Sequence, residues 1–384
     1  MAKKKKMLKI EGDFLFLILV LCLSIFGMIM IYSASYYHSI SSEGNPYAFL
    51  KSDIIYKTLG WIAFFFLANF DYHRLGKYSW IVMGIGFILL GLIYTPLGKT
   101  INQSTSWLDF KFFTVMPGEI IKTCFILFLA WFISTDKQRL RTPKGLGIIL
   151  GLTAAAFFLV FKQPSLTTAI TIVMLIGGIL VIAGLSKKLI LLLFAAGGLG
   201  IGGLFVWKGA DYMFNRVRVA FDPWSEAKDK GYQVVQSLLA LGSGGVLGVG
   251  LGKSIQKTLY LPEPENDYIL AIVGEELGYV GILLLIIAYV LLIWRIFRIA
   301  LRARDSFGML LASGVGLHIA IHVVLNYAIV SATFPPTGIV LPFVSAGGNA
   351  TMLFLAECGI VFNVSRYPAE QLVPSNALPA GGGA

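Results

Sequence analysis

The sequence predicts an all-α polytopic membrane protein of about ten transmembrane helices, with a large extracellular loop between spans seven and eight. Three observations carry that expectation. Hydrophobic residues make up 57% of the chain against 13% charged, and the mean hydropathy is +0.79. A soluble domain needs a polar shell that this composition does not supply. Apolar runs long enough to cross a bilayer recur along the whole chain. Basic residues fall in short clusters in alternate connections between those runs, as the positive-inside rule requires. A net charge of +11 would suit a nucleic-acid partner, but its placement between apolar runs argues for membrane topology and no nucleic acid.

The candidate spans lie near 14–34, 53–70, 79–97, 116–134, 145–161, 167–185, 188–208, 269–294, 307–330 and 347–364. The first follows MAKKKK, as a signal peptide would, and Ser33-Ala34-Ser35 weakly resembles a cleavage site. Its apolar run nears the roughly 20 residues of a spanning helix, so it reads as a retained span. With the N-terminus in the cytoplasm, the inner connections hold Lys3 to Lys6 and Lys9, then Arg74 and Lys77, then Lys137, Arg139, Arg141 and Lys144. Lys187 and Lys188, Arg295, Arg298, Arg302 and Arg304, and finally Arg366 continue the series. The short outer connections hold only Lys51, Lys99, Lys111 and Lys162. Ten spans return the C-terminus to the cytoplasm, and losing one would invert the charge pattern downstream. Residues 1–366 therefore read as a single transmembrane domain. Residues 367–384, rich in Pro, Ala and Gly, read as a flexible tail with the look of a cloning scar. Cys22, Cys124 and Cys358 lie in apolar runs with no C-x-x-C pair, which indicates neither a disulfide framework nor a zinc site.

Two outer segments are long. The first, about 98–115, is polar with interleaved aromatics (NQSTSWLDFKFF). The second, about 209–268, is too rich in Trp, Tyr and Phe to be disordered and too long to be idle. Its Arg216 and Arg218 have the guanidinium chemistry for a phosphate, whether of a substrate or of membrane lipid. Its glycine-rich LGSGGVLGVGLG (241–252) lacks the preceding strand and the Lys-Ser/Thr of a nucleotide loop. A tightly turned or re-entrant segment at the membrane surface is the better reading.

The stretch LPEPENDYILAIVGEELG (261–278) concentrates carboxylates where water gives way to lipid. Glu263 and Glu265 fit a solvated acidic turn at a helix N-terminus. Asp267 is deeper, and crowding with partial burial would raise its pKa into the range of a general base. Glu275 and Glu276 fall two turns into the eighth span, where at least one must face the interior and be paired. In MPGEIIKT, Glu119 and Lys122 share one helix face at the start of the fourth span, either as a structural ion pair or facing a cavity shared with Asp267. His318 and His322 have the i,i+4 spacing of metal ligands, without the glutamate of a zincin, and read as buried, hydrogen-bonded imidazoles.

Taken in order, DFLFL…IYSAS, W…PGEIIK, KQPSLTTA, RV…AFDPW, GYQVVQSLLALGSGGVLGVGLGKSIQK, YLPEPENDYILAIVGEELGYVG and NYAIVSATFPPTGIVLPFVSAGG resemble the SEDS family (shape, elongation, division and sporulation) from Asp13 to Arg366. FLANFDYHRLGKYSW and PPTGIVLPF look closer to its division and sporulation branch (FtsW, SpoVE) than to its elongation branch (RodA). The resemblance implies a ten-span glycosyltransferase that polymerises lipid II into peptidoglycan on the outer membrane face. It implies a class B penicillin-binding protein as transpeptidase partner, among other divisome or elongasome membrane proteins. The family's essential carboxylate matches Asp267, and its Trp, Glu and Lys around the fourth span match Trp107, Glu119 and Lys122. Where the family has H-T-D, Q-P-S-E, Q-P-D-L-G-T-A and S-Y-G-G-S, this chain has END (265–267), MPGE (116–119), QPSLTTA (163–169) and SAGGN (345–349). The changed positions include Met116, Gly118, Ser165, Asn266 and Ala346.

On this reading Asp267 is the catalytic base. Trp107, Glu119, Lys122, Arg216, Arg218, Gln233, Ser237 and Lys257 are the substrate-binding candidates. A divalent cation, magnesium or manganese, would assist at the pyrophosphate, though no cluster in the sequence specifies ligands for it. A lipid II flippase would use the same groove and buried charges, and a divisome scaffold only the apolar faces. The interfacial place of Asp267 favours the enzyme, because a transporter's key charge belongs near the midplane.

Overall fold

The computed structural model describes residues 12–101, 104–110, 114–163, 165–186, 188–191, 222–228, 231–336 and 338–368. Most of the seventh predicted span, Arg216, Arg218 and nearly all of the C-terminal tail lie outside them. The described chain is a bundle of helices: α1 (Phe14–Glu43), α2 (Ala48–Asn69), α3 (Tyr72–Lys77), α4 (Ser79–Leu92), α5 (Pro117–Thr135), α6 (Pro143–Lys162), α7 (Leu166–Ile182), α8 (Tyr232–Ser243), α9 (Ile269–Leu301), α10 (Ser306–Val330) and α11 (Asn349–Ser365). Among the described residues, five of these are long and apolar enough to cross a membrane: α1, α5, α6, α9 and α10.

The apolar pattern divides the peripheral helices into a lipid face and a protein face. On α2, Ile55, Leu59, Ile62 and Phe66 are exposed at helical spacing, as are Ile81, Ile85 and Ile88 on α4. In water such stripes would drive association; in hydrocarbon they are the solvated surface. α5 and α10 sit at the centre and are buried along most of their length, whereas α6 is peripheral. Since lipid gives no hydrophobic drive between helices, close approach and polar contacts must hold the bundle. Gly60 on α2 and Gly359 on α11 supply the approach: a Cβ on Gly359 would stand 2.4 Å from the Phe64 carbonyl oxygen. Asn363 closes that pair by donating to the Ala68 carbonyl at 2.7 Å and accepting from the Tyr72 amide at 3.3 Å.

Three differences from the sequence reading matter. α1 runs past residue 34 to Glu43, ending at Gly44 with φ 66°. Its C-terminal turns stay helical because aromatics brace them, Tyr32 stacking on Tyr47 at 5.7 Å. The segment at 98–115, read from sequence only as polar with interleaved aromatics, holds a three-stranded antiparallel sheet, β1 (Gly98–Ile101), β2 (Ser104–Asp109) and β3 (Thr114–Val115). In β2 the alternation buries Ser106 and Leu108 and leaves Trp107 half-buried on the other face. The eighth span is broken. At Gly278 α9 departs from helical geometry (φ 67°, ψ −166°), which divides it into a short buried segment and a long lipid-facing one.

Candidate active site

Asp267 stands just before α9, whose N-cap is Tyr268. The Asn326 side chain, from α10, donates to the Asp267 backbone carbonyl at 2.9 Å and to the Ile339 carbonyl at 2.8 Å. One amide thus joins the acidic loop to the segment 338–348. That segment packs directly on the carboxylate: a Cβ on Gly338 would meet Asp267 Oδ2 at 2.7 Å. Any side chain at 338 would therefore crowd the group. Among the described residues the Asp267 carboxylate accepts no hydrogen bond. Burial, then the charges of Glu263 and Glu265, push its pKa up to about 7.

Glu265 is fully buried, not solvated as the sequence reading had it. His38, near the C-terminal end of α1, donates from Nδ1 to Glu265 Oε1 at 2.7 Å. The Glu265 carbonyl accepts from the Ala346 amide at 2.9 Å. The acidic turn folds inward because His38 and the 338–348 segment replace its water. Glu263, with φ 47°, shapes the turn that places Asp267 behind it.

Glu275 and Glu276 are both buried, and both are partnered. Glu276 binds Lys257 Nζ at 2.6 Å and accepts from Ser33 Oγ of α1 at 2.7 Å. Glu275 accepts from the Ser254 hydroxyl and from the Ile255 amide at 2.8 Å. These two carboxylates hold the loop 254–257 against α9 and α1. Lys257, a substrate-binding candidate from sequence, has its charge met by Glu276. Gln233 and Ser237 also turn to the protein, donating to the Pro262 carbonyl at 3.3 Å and the Val330 carbonyl at 2.9 Å. Trp107 lies in the sheet opposite Lys99. The sheet is tied to the start of α11 through Asn349, which donates to the Thr114 carbonyl at 2.6 Å.

Deeper in the bundle, Lys122 donates to Glu119 Oε1 at 2.7 Å and pairs with His322 Nε2 at 2.8 Å. An ammonium only donates, so His322 Nε2 must accept, and its Nδ1–H faces the Val340 carbonyl at 3.3 Å. His318 donates to Glu357 of α11 at 2.9 Å, and Thr123 donates to the same carboxylate at 2.6 Å. The Lys122 cluster and Asp267 therefore meet the same segment, at Val340 and Gly338. That segment is a wall common to both.

Glu119, His318 and His322 could hold a metal ion, with ligand atoms all within 4.8 Å of one another. The chemistry of the full set resists it, because the Lys122 ammonium already binds Glu119 and His322. A cation would have to displace that ammonium or take the place of its proton. Lys122 centres the network, and the buried Nε2 of His318 is left without a hydrogen-bond partner among the described residues.

Several residues in or beside this arrangement are invisible to sequence reasoning. His38 and Gly338 come from opposite ends of the chain and matter only once folded. Asp53 and Lys57 form a further buried ion pair at 2.7 Å on α2; the D-x-x-x-K spacing inside an apolar run was the available signal. Glu357 was readable in the same way, as a lone acid in the last span.

The long apolar helices define a multi-pass integral membrane protein, with the Asp267 carboxylate just before one of them. The chain belongs to the cell cycle protein family of FtsW, RodA and SpoVE, whose model matches residues 13–370. It is 38% identical over 362 residues to stage V sporulation protein E of Bacillus subtilis (strain 168), covering 94% of this chain and 98% of that protein. It is 32% identical over 375 residues to the probable peptidoglycan glycosyltransferase FtsW of Coxiella burnetii, covering 96% of this chain and 100% of that one. In fold it resembles a chain of a peptidoglycan synthase complex that coordinates polymerization and crosslinking, with TM-score 0.77, 23% identity, and coverage of 92% of this chain and 98% of that one. It also resembles the rod shape determining protein RodA of Thermus thermophilus, with TM-score 0.68, 24% identity, and coverage of 92% and 97%.

Proposed function

We propose that this protein polymerises lipid II into glycan strands, with Asp267 as general base. The carrying observation is a carboxylate at the head of a spanning helix whose pKa lies at about 7. A base so tuned is half deprotonated at neutral pH and strong enough to take a hydroxyl proton as the bond forms. Relatives named as probable peptidoglycan glycosyltransferases, aligned over nearly the whole chain, support the same chemistry.

In this reading Asp267 takes the proton of the acceptor GlcNAc 4-hydroxyl. The oxygen attacks the anomeric carbon of the donor MurNAc, the bond from that carbon to the pyrophosphate oxygen breaks, and undecaprenyl pyrophosphate leaves with the electron pair. Configuration at the carbon inverts. One base and charge stabilisation of the leaving group suffice. Arg216 and Arg218 are assigned the pyrophosphate, and Trp107 the sugars. Lys122 and Glu119 are assigned to fixing the Val340 wall from behind. No step runs through a metal.

The topology that suits this chemistry has ten spans in a single domain over 1–366, both termini in the cytoplasm, and Asp267 on the outer face. The likeness to a chain from a complex that polymerises and crosslinks supports a transpeptidase partner, proposed to be a class B penicillin-binding protein. The test is polymerisation of labelled lipid II by the purified protein, alone and with such partners. Wild type should give a ladder of products, and Asp267→Asn should lose about 10²–10⁴-fold in rate, the share typical of a general base. A full ladder from well-folded Asp267→Asn would overturn the assignment. Movement of lipid between leaflets without any polymer would favour a flippase instead.

A further inference from the structure

The end of α9 remote from Asp267 carries a feature that glycan synthesis does not use. A cavity of about 360 Å³ opens there between the start of α1, the end of α9 and the end of α11. Its lining brings together Arg295, Arg298, Arg302 and Arg366 with a single acid, Asp13. The volume is at the small end of the range for ligand pockets, and suits a compact polar group.

The arginines are not equivalent. Arg295 is neutralised by Asp13 at 2.6 Å, and that aspartate also caps α1 by accepting from the Phe16 amide at 3.0 Å. Arg366 holds the end of α2 by donating to the Ala68 carbonyl at 2.8 Å and to the Asn69 side chain at 2.9 Å. Arg298 and Arg302 pair with no carboxylate among the described residues. Arg298 lies over the ring of Trp294 at 5.1 Å, and Arg302 is exposed at the C-cap of α9. A positive-inside loop and a helix C-terminus both favour basic residues here. Neither requires them to converge from two helices on one cavity.

We infer that this cavity binds the phosphate of an anionic phospholipid in the adjoining leaflet, with Arg298 and Arg302 as its principal ligands. Guanidinium groups match phosphate oxygens in paired, charge-assisted hydrogen bonds. The lipid source is favoured by what lies beside the cavity. Trp294, Leu291 and Val290 are exposed on α9; a ring of tryptophan at headgroup depth over an apolar stripe is a surface for acyl chains. The ligand would sit where α1, α9 and α11 are already tied, since the Asp13 amide donates to Ser365 Oγ at 3.0 Å. Binding should therefore brace the bundle.

Native mass spectrometry of the full chain in detergent, titrated with phosphatidylglycerol or phosphatidylcholine, tests this. Wild type should retain phosphatidylglycerol in preference to phosphatidylcholine. The double variant R298Q/R302Q should bind it roughly tenfold to thirtyfold more weakly, in line with the contribution per arginine at an anionic surface. K137Q/R141Q, which removes equal charge from a different basic cluster, should not change it. A circular-dichroism melt in each lipid shows whether R298Q/R302Q is folded, and phosphatidylglycerol should raise the wild-type midpoint alone. No preference in wild type, or the same preference in R298Q/R302Q, would overturn the site. If millimolar inorganic phosphate raises the wild-type midpoint in an arginine-dependent way and phosphatidylglycerol does not, the lipid source is overturned and a soluble phosphate takes its place.

Discussion

At the scale of single residues, Asp267 sets the pH behaviour. Its pKa is raised from the ordinary carboxylate value to about 7 by burial and by Glu263 and Glu265. As the proposed base it must be deprotonated to act, so kcat/KM should rise through about pH 7 and level above it. Glu263→Gln removes one repelling charge and should move that rise to lower pH, and an unmoved profile would deny the electrostatic cause. Stability carries the opposite sign. A raised carboxyl pKa means the folded state resists ionisation, so stability falls as pH climbs from the unfolded value toward about 7. Asp267→Asn should therefore melt higher than wild type at pH 8 while losing activity, a split that a purely structural role would not produce. Lys122 behaves differently. Removing it leaves Glu119 buried and unmet, and Lys122→Met should cost about 3–5 kcal/mol, with Glu119→Gln in the same chain restoring part of it. A thermal melt in one detergent compares the three. The candidacy of Asp267 was legible because three acids crowd in five residues before an apolar run. Its setting was not, since His38, Asn326 and Gly338 reach it from positions far apart in the chain and carry no local mark.

At the scale of elements, the glycine-rich segment and the break in α9 explain each other. The Val249 and Gly250 amides donate to the carbonyls of Glu275 and Glu276 at 3.0 Å, and the Tyr279 and Val280 amides donate to those of Gly245 and Val246 at 2.9 and 3.1 Å. Four backbone bonds replace those lost where the helix opens, so the irregular backbone is satisfied within protein. Contact this close excludes side chains: a Cβ on Gly248 would lie 2.1 Å from the Glu276 carbonyl oxygen, and one on Gly278 would lie 2.3 Å from the Gly248 amide. Gly278→Ala thus combines a left-handed backbone with a clash and should lower the melting point more than Ala at Gly84, which meets nothing within 4 Å. Equal melting points for the two would show that α9 tolerates a continuous helix. The reading of 241–252 as a tight turn anticipated the glycines but not their partner. The short sheet at 98–115 escaped because none of its three strands exceeds six residues, and β1 and β3 have only four and two. The break at Gly278 escaped because the apolar run continues through it.

At the scale of the whole molecule, hydropathy made the long apolar helices α1, α5, α6, α9 and α10 legible, because a lipid-facing helix must be apolar over its full length wherever its partners lie. Packing order was not legible: α2 runs along α11, and α5 lies against α10, pairings distant in sequence that follow from small residues and polar contacts rather than from periodicity. Orientation rests on charge alone, and it decides which side of the membrane Asp267 faces. Two exposed positions test it. Ser331 follows α10, at the end of the bundle shared with the 338–348 segment, while Arg304 lies between α9 and α10 beside the arginine cavity. Cys124 and Cys358 are buried and Cys22 faces lipid in α1, so none competes for a charged maleimide that needs a hydrated thiolate. Ser331→Cys should be labelled by an impermeant maleimide in intact cells, and Arg304→Cys only after permeabilisation. The reverse pattern would place Asp267 in the cytoplasm, where extracellular glycan cannot be made, and polymerisation on the outer face would then be untenable.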